Sequence, residues 1–396
     1  MRIAYICADP GVPVFGRKGC SVHVQEVARA LVGSGARVHL FASRIDGDPP
    51  VGMETVSIHQ FFRAPSGDIV RREQATLAAN QDLSAALDRH GPFDLVYERY
   101  SLWSYAGIAY ARATGVPGLL EVNAPLIEEQ SSHRGLTDHA GAEWVRENVF
   151  ASATALLAVS SEVATYLRRF PTTGDRVHVV PNGVDSDRFS GHVTPSYPGQ
   201  PGSFTIGFVG TLKPWHGLAD LIEAFSILHP RDPSTRLLIV GDGPERATLD
   251  ADLARRGIRD AVQFTGAVDP REVPGLLASM DVAVAPYPPM ADFYFSPMKI
   301  YEYLAAARPI VASRIGQLDG LIRHDVNGLL CPPGNPSALA AAIERLRRSP
   351  ELRARLGQSA RATVLEKHTW AAVAARILAL ARRTTRTTPD QALVVG

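Results

Sequence analysis

The fold is decided by RIAYIC (2–7), SVHVQEVARALVGSG (21–35) and RVHLFA (37–42). The two short runs are apolar without polar alternation, which indicates strands covered on both faces, and the longer segment between them has helical spacing. Buried strands separated by helices are typical of a parallel sheet, so we predict a doubly wound, Rossmann-like α/β domain. The same alternation continues in DLVYE (94–98), SLWSYAGIAYARATG (101–115) and VPGLLEV (116–122).

A second series of strands and helices begins at residue 204, with FTIGFVG (204–210), RLLIVG (236–241) and RPIVAS (308–313) as buried strands. The segment SGHVTPSYPGQPGS (190–203) is rich in Pro, Gly and Ser, which is typical of a linker. A chain of 396 residues has room for two cores. We therefore predict two Rossmann-like domains whose carboxyl sheet edges face a central ligand-binding cleft. The predicted bounds are 1–189, 190–203 for the linker, 204–375, and 376–396 for a helix end and polar tail.

Composition excludes several classes of function. The 41 basic and 40 acidic residues give a formal net charge of +1, so we expect no nucleic acid partner. The three cysteines, at positions 7, 20 and 331, are too few and too scattered for a disulfide framework or a zinc site, which favours a reducing cytoplasm. We expect neither a signal peptide nor a spanning helix. Peripheral membrane contact stays open, and the oligomeric state cannot be read from the sequence.

The first predicted β–α turn contains candidates for binding a phosphate. Gly16 and Gly19 allow a ligand close to the backbone, and the helix that starts near Ser21 offers free N–H groups and the positive end of its dipole. Lys18 adds a charge, and His23, in the first helical turn, is expected to point toward the cleft in a supporting role. A long surface turn is the alternative, because the segment lacks a GxGxxG pattern.

A similar turn, FVGTLKPWHG (208–217), opens the second predicted domain. Gly210 permits close approach, and Lys213 and His216 precede a helix, so this turn is a candidate clamp for a diphosphate. An ordinary exposed loop is the alternative.

The most informative segment is FYFSPMKIYEYLAAARPIVAS (293–313). Ser296 is expected to cap a helix with Pro297 at its first position. Lys299 and Glu302 would then share one helix face near the positive end of the dipole, where a cation suits phosphate and a carboxylate suits ribose hydroxyls. The alternative is an ordinary surface ion pair.

Together these segments resemble the retaining glycosyltransferases of family four, which have the GT-B fold. The resemblance implies an enzyme that moves a sugar from a nucleotide diphosphate to an acceptor hydroxyl with retention of anomeric configuration. It implies no cofactor, and no metal is expected, because no DxD-like carboxylate cluster precedes a loop suited to magnesium. The segments that carry the resemblance are VPNGVDSDRF (180–189), FVGTLKPWHG (208–217), IVGDGP (239–244), VQFTGAV (262–268), DVAVAPY (281–287), SPMKIYEYLAAARPIVAS (296–313) and NGLLCPPGNP (327–336).

The resemblance also implies substrates and residue roles. The second domain would bind the nucleotide sugar, with a UDP-sugar favoured over GDP-mannose, and the first would bind a saccharide, lipid-linked or small natural-product acceptor. Closure of the domains is expected to exclude water, so that transfer outcompetes hydrolysis. The implied catalytic residues are Lys213, Lys299 and Asn123, and the implied donor-binding residues are Gly210, His216, Ser296, Glu302, Asp292 and Val268.

Several positions depart from the family pattern. Tyr294 stands where the first of two glutamates that bracket the donor is expected, with Asp292 as a nearby carboxylate. Glu302 matches the second glutamate. Thr211 and His216 replace the usual Arg and Lys of the clamp, and two nearby lysines would supply the lost charge.

Asn123 stands where many members carry a histidine, directly after the predicted strand VPGLLEV (116–122). An amide can position a sugar but cannot act as a general base, which suits a front-face mechanism dominated by stabilisation of the leaving group. Glu98 and Arg99, at the end of the preceding strand, are further cleft candidates, with a buried pair between them as the structural alternative.

Two other functions stay open at this point. A nucleotide-sugar epimerase on the same fold would convert the donor without an acceptor and would need acid and base groups. A catalytically silent partner subunit would bind the nucleotide without hydrolysis or transfer. The departures at Tyr294 and Asn123 keep this second alternative open.

Overall fold

The computed structural model describes residues 1–133, 135–189 and 193–385, which form two compact units. Unit 1 consists of Met1–Asn182, the short segment Tyr294–Ser296 and the chain from Trp370 onward. Unit 2 consists of Gly183–Phe293 and Pro297–Thr369. The chain thus enters unit 2 at Gly183, before the predicted linker, of which 190–192 lie outside the described residues.

Unit 1 is built on one parallel sheet whose first strand lies in the middle. The strands are β1 (Arg2–Cys7), β2 (Arg37–Ala42), β3 (Ser57–Gln60), β4 (Leu95–Arg99), β5 (Gly118–Val122), β6 (Ala155–Ala158) and β7 (Val177–Val179). Within the described residues, the order of the seven strands is β3-β2-β1-β4-β5-β6-β7, as expected for a doubly wound sheet. β5 and β6 are buried along their whole length, which explains their continuous apolar sequence.

Helices connect these strands, and the apolar residues of the helices and strands form the core of unit 1. Val122, Val149 and Leu156 belong to one cluster of buried side chains that joins the sheet to its helices. The helices are α1 (Gly19–Gly33), α2 (Ile69–Ala78), α3 (Asn80–His90), α4 (Ala106–Thr114), α5 (Leu126–His133), α6 (His139–Ser152) and α7 (Ser161–Leu167).

Unit 2 repeats the same design. Its strands are β8 (Phe204–Val209), β9 (Thr235–Val240), β10 (Val262–Phe264), β11 (Val282–Ala285), β12 (Ile310–Ser313) and β13 (Leu329–Cys331). In the part of unit 2 that the structure describes, these six strands pair in parallel in the order β10-β9-β8-β11-β12-β13. The helices are α8 (Leu218–Leu228), α9 (Arg246–Arg255), α10 (Val273–Ala278), α11 (Met298–Ala305), α12 (Leu318–Leu321), α13 (Pro336–Arg348) and α14 (Pro350–Lys367).

The C-terminal helix α15 (Trp370–Thr385) belongs to unit 1, although its first residues had been assigned to the second predicted domain. It packs against α1, and the ring of Trp370 meets the ring of His23 edge-on, with centroids 5.3 Å apart. Its apolar face, including Val373 and Ile377, is buried, which gives the helix its place in this core. Residues 386–396 of the predicted tail lie outside the described residues. No helix in the described ranges is long and apolar enough to cross a membrane.

Three histidines lie together at the β2–β3 side of the unit 1 sheet. His39 Nδ1 is 3.1 Å from His59 Nε2, and the ring centroids of His59 and His90 are 3.9 Å apart. Arg2 donates to the His90 carbonyl at 2.8 Å, and its guanidinium is 3.5 Å from His39 Nε2. Desolvation by partial burial, together with the charges of His90 and His39, lowers the pKa of His59 to about 4.

We expect acid to destabilise unit 1 through this cluster. The folded protein lowers the pKa of His59 from 6.5 to about 4, so the stabilisation present above pH 6.5 is lost as the pH falls toward 4. Urea titrations give the free energy of unfolding at about pH 7 and at about pH 5. Between these two values it should fall less for His59→Gln than for the wild type. His139 is exposed, so His139→Gln is the control, and its free energy of unfolding should fall by as much as that of the wild type. Equal losses in all three proteins would contradict the prediction.

Candidate functional site

Two loops of unit 2 meet backbone to backbone where β8 and β9 end. The N–H of Gly210 donates to the Val240 carbonyl at 2.9 Å. A Cβ atom on Gly241 would overlap the Gly210 carbonyl oxygen, and one on Gly243 would lie 2.5 Å from the Leu212 carbonyl oxygen. Gly241 also has a φ of +131°. Glycine is therefore required at both positions, and the loop that contains them holds the Gly210 turn in place.

Lys299 of α11 lies with its ammonium beside this turn. Nζ is 4.2 Å from the ring centroid of Phe208 and 5.2 Å from that of Tyr287, and a Cβ on Gly210 would lie 3.2 Å from it. Desolvation lowers the pKa of Lys299 to about 7, although the charge of Glu302, one helical turn further on, raises it. Within the described residues, the ammonium has no ion pair and no hydrogen bond. A partly buried cation in this state is suited to an anionic ligand.

His216 is neutral in this arrangement. Its Nδ1 lies 2.5 Å from the Thr211 carbonyl oxygen. Because a carbonyl only accepts, Nδ1 carries the hydrogen and Nε2 is an acceptor. Desolvation lowers the pKa of His216 to about 3, with contributions from the charges of Lys299 and Lys213. His216 therefore does not supply the charge of the lysine that it replaces, and Lys213, with Nζ 5.4 Å from the Trp215 ring centroid, is the second cation of the turn.

Ser296 is not the cap of α11, so this prediction is wrong. The helix begins at Met298, and its N-cap is Pro297, which has an extended ψ of 112°. The extended ψ of Pro297 places this residue outside the helix, so Met298 is the first helical residue. The Oγ of Ser296 instead accepts the Asn182 N–H at 3.3 Å, and the Asn182 amide donates to the Ser296 carbonyl at 2.6 Å, both within unit 1.

The remaining donor-binding candidates of unit 2 lie in different surroundings. Glu302 is partly buried on α11, whereas Asp292 is exposed in the segment that precedes it. Val268 follows β10 and lines an open groove of about 490 Å³ together with Thr265 and Glu272. Across 1–133, 135–189 and 193–385, no group of three His, Cys, Asp or Glu side chains could hold a metal ion.

Tyr294 is packed as part of unit 1. Its ring lies against a buried cluster of that unit, and its carbonyl accepts a hydrogen bond from Ser160 Oγ at 2.9 Å. Its hydroxyl donates to Glu129 Oε2 at 3.1 Å. Tyr294, which stands in place of the expected glutamate, thus contacts the carboxylate of Glu129 in α5. Glu129 was not identified as a candidate from the sequence.

The β1–α1 turn has the features expected of an anion site. α1 begins at Gly19 with Lys18 at its N-cap, and the Lys18 side chain forms no capping hydrogen bond. Gly16 is required by packing, because a Cβ there would lie 2.8 Å from Pro13 Cγ, whereas Gly19 has open space around it. Lys18 is exposed. A phosphate at this helix end stays a prediction.

His23 does not point toward an open cleft, so this expectation is corrected. The residue is 4% exposed, and its Nε2 is 2.8 Å from Glu121 Oε2. Its ring packs edge-on against Trp370. The polar partner inside the unit draws the imidazole inward, because a buried carboxylate requires donors.

Glu98 is fully buried, so its assignment as a cleft residue is wrong. Its Oε1 accepts from Ser104 Oγ at 2.5 Å, and its Oε2 accepts the Ile108 N–H at 3.0 Å near the start of α4. Burial raises the pKa of Glu98 to about 7, although both hydrogen bonds lower it. The alternative of a Glu98–Arg99 pair is also wrong, because neighbouring residues of a strand point to opposite faces of the sheet.

Arg99 and Asn123 meet at Glu121, a residue that sequence reasoning missed. Arg99 Nη1 donates to Glu121 Oε1 at 3.0 Å, and the Asn123 amide donates to the same oxygen at 2.6 Å. Arg99 lies opposite Glu121 in the register of β4 and β5. The available signal was a carboxylate inside the otherwise apolar strand GLLEV, since a buried charge requires partners.

Two family models match the chain. The model described as Glycosyltransferase Family 4 matches residues 17–188, and the model described as Glycosyl transferases group 1 matches residues 203–349. The 2-deoxystreptamine glucosyltransferase of Streptomyces kanamyceticus is 27% identical over 83% of this chain and 89% of its own length. The D-inositol 3-phosphate glycosyltransferase of Salinispora arenicola is 26% identical over 87% of this chain and 82% of its own length.

Solved structures share the fold. Sucrose-phosphate synthase from Thermosynechococcus elongatus superposes with a TM-score of 0.77 at 21% identity, over 98% of this chain and 100% of that chain. Anabaena HepE, solved in complex with UDP and glucose, superposes with a TM-score of 0.72 at 18% identity, over 97% of this chain and 100% of that chain. The predicted fold class, with two Rossmann-like parallel-sheet units as in GT-B proteins, is confirmed.

The contact between the two glycine loops should be intolerant of a methyl group. Gly241→Ala would place a Cβ on the Gly210 carbonyl, so we expect a loss of roughly 3 kcal/mol or more in the free energy of unfolding. The matched control is Gly67→Ala, with a comparable φ of +140° but only Arg71 Cδ at 3.8 Å, an ordinary contact, which should cost roughly 1–2 kcal/mol. Urea titrations compare the two, and equal losses would refute the packing argument.

Proposed function

Since this chain belongs to glycosyltransferase family 4, we propose that it transfers a sugar from a nucleotide diphosphate to an acceptor hydroxyl with retention of anomeric configuration. The observation that carries the proposal is the partly buried ammonium of Lys299, which no described side chain neutralises by an ion pair. A desolvated cation gains more from a diphosphate than a solvated one does. In this proposal unit 2 binds the nucleotide sugar and unit 1 binds the acceptor.

The proposed reaction needs no basic side chain. The bond between the anomeric carbon and the diphosphate breaks, a bond from that carbon to the acceptor oxygen forms, and the hydroxyl proton moves to the departing diphosphate. Lys299 and Lys213 stabilise the charge that develops on the diphosphate, and one such preorganised contact is worth about 3 kcal/mol. Glu302 accepts from ribose hydroxyls. The neutral His216, with Nε2 as an acceptor, orients a sugar hydroxyl.

A UDP-sugar is favoured over GDP-mannose as the donor. Two comparisons support this choice, because HepE was solved with UDP and glucose and one curated relative is a glucosyltransferase. The groove of about 490 Å³ beside Val268 has room for a nucleobase.

A small acceptor with several hydroxyl groups is favoured over a polymer. The names of two relatives contain such molecules, namely 2-deoxystreptamine and D-inositol 3-phosphate. Saccharides and lipid-linked sugars complete the set of acceptors to be screened.

Nucleotide binding tests the proposal directly. Thermal shift and calorimetry compare UDP, GDP, TDP and ADP on the wild type, Lys299→Ala and Glu302→Ala. Lys367→Ala is the matched control, because its side chain is 61% exposed on α14. We expect UDP to stabilise the wild type and the control, and to bind at least about tenfold more weakly to the other two variants. No stabilisation by any diphosphate would overturn the proposed function.

Transfer assays separate the proposed enzyme from the two alternatives. UDP-glucose is supplied with 2-deoxystreptamine, D-inositol 3-phosphate or a saccharide panel, in the presence of EDTA because we propose that no metal is needed. Product that requires an acceptor supports the proposal, and Lys213→Ala and Lys299→Ala should then lower kcat by roughly a hundredfold. Conversion of the donor without acceptor would indicate an epimerase, and binding without turnover would indicate a silent subunit.

Donor affinity should fall as the pH rises. Because desolvation lowers the pKa of Lys299 to about 7, with Glu302 opposing the shift, the ammonium is present below that pH and is lost above it. Calorimetry from about pH 7 to about pH 9 should show weakening UDP binding, in a range where phosphate, with a second pKa of about 6, keeps its full charge. Lys299→Arg stays charged and should bind UDP equally across this range. The same decline in this variant would assign the titration to another group.

A further inference from the structure

The side chain of Asn123, the first residue after β5, is partly exposed. Its Nδ2 donates to Glu121 Oε1 at 2.6 Å, and its Oδ1 has no partner among the described residues. We propose that Glu121 is a positioning residue, which fixes the amide of Asn123 so that its carbonyl oxygen accepts a hydrogen bond from the acceptor hydroxyl. This inference rests on the proposed function and deepens it.

Glu121 is a carboxylate that is 4% exposed and that holds four donors within the described part of unit 1. Asn123 Nδ2 and, at 3.0 Å, Arg99 Nη1 donate to Oε1. The Tyr97 hydroxyl and, at 2.8 Å, His23 Nε2 lie at Oε2. Burial raises the pKa of Glu121, but His23, Arg99 and the Tyr97 hydrogen bond outweigh it and hold the pKa well below its usual range. The carboxylate is therefore ionised and can only accept hydrogen bonds.

An ionised Glu121 leaves the Asn123 amide a single orientation. The NH2 group has to face the carboxylate, because turning the amide over would set its oxygen 2.6 Å from another acceptor oxygen. Oδ1 therefore points away from Glu121 and presents its lone pairs to a ligand. An asparagine without such a partner could present either its donor or its acceptor end.

The oxygen of Asn123 suits a hydroxyl or an ammonium group of the acceptor and repels a phosphate oxygen. Arg99 does not reverse this preference, because it is paired with Glu121 and its side chain is 13% exposed. A hydrogen bond from the acceptor hydroxyl to Oδ1 orients that hydroxyl, while its proton goes to the departing diphosphate. The amide cannot take the proton, so its role is orientation.

NMR tests the contact without any substrate. The chain has six asparagines, so labelling them with ¹⁵N gives a small set of side-chain amide signals. The Asn123 signal is assigned from its loss in Asn123→Asp. Glu121→Gln should move it, whereas the matched Glu98→Gln should leave it in place, because Glu98 lies on the other face of the sheet and holds the start of α4. An Asn123 signal that Glu121→Gln does not move would overturn the inference.

Exchanging the acid and the amide tests the role in transfer. Glu121→Gln frees the amide to turn over, and Asn123→Asp sets two carboxylates together, so each should raise the KM for the acceptor about tenfold. UDP affinity should change by less than about twofold. The double variant E121Q/N123D again pairs an amide with a carboxylate that has an oxygen left for the acceptor, so its KM should return to within about threefold of the wild type.

The outcomes separate this inference from the proposed function. A wild type that neither binds UDP nor transfers overturns the proposed function and this inference with it, and the NMR shift then reports only the contact. If the wild type transfers the sugar but the increases in acceptor KM of the two single variants add up in the double variant, this inference alone is overturned. Loss of the other asparagine signals would show that Glu121→Gln does not fold. The acceptor KM of Asn123→Asp, compared with that of the double variant, then decides whether the inference holds. The acceptor used is the member of the panel above that the wild type glycosylates.

Discussion

A buried carboxylate constrains unit 1 at the carboxyl edge of its sheet. Removing water from an ionised group such as Glu121 costs several kcal/mol, which the protein recovers only if donors surround both oxygens. Those donors come from α1, from β4 and from the residue after β5. The ring of His23 packs edge-on against Trp370, the first residue of α15. The position of the C-terminal helix is therefore coupled to the same carboxylate.

Unit 2 is constrained by the opposite arrangement, a cation that lacks a paired carboxylate in the described residues. Lys299 is held between the rings of Phe208 and Tyr287 and the Gly210 turn, and that turn keeps its shape because Gly241 leaves no room for a side chain. Backbone packing thus fixes the surroundings of the charge, and desolvation keeps its pKa low. An anionic ligand would stabilise a desolvated cation of this kind.

Neutral side chains stand at several positions where the family pattern has ionisable ones. Tyr294 packs into unit 1 and bonds Glu129, His216 is held neutral by desolvation, and Asn123 is oriented by Glu121. Each residue keeps a hydrogen-bonding capacity while losing a charge. In the proposed transfer reaction, orientation and the charges of Lys213 and Lys299 therefore matter more than acid or base groups.

The Rossmann-like sheets and the glycine turns could be predicted from the sequence, because strands buried on both faces and glycine-containing turns before helices leave a local pattern. The role of Glu121, the inward orientation of His23 and the assignment of Tyr294 and Trp370 to unit 1 could not. His23 and Glu121 are 98 residues apart in the chain, so nothing near either residue indicates the other. Ser296 has a typical capping sequence, yet the structure pairs it with Asn182, which is 114 residues away in the chain. Tertiary packing decides such partners because a buried polar group must be satisfied by whichever donors the fold brings to it.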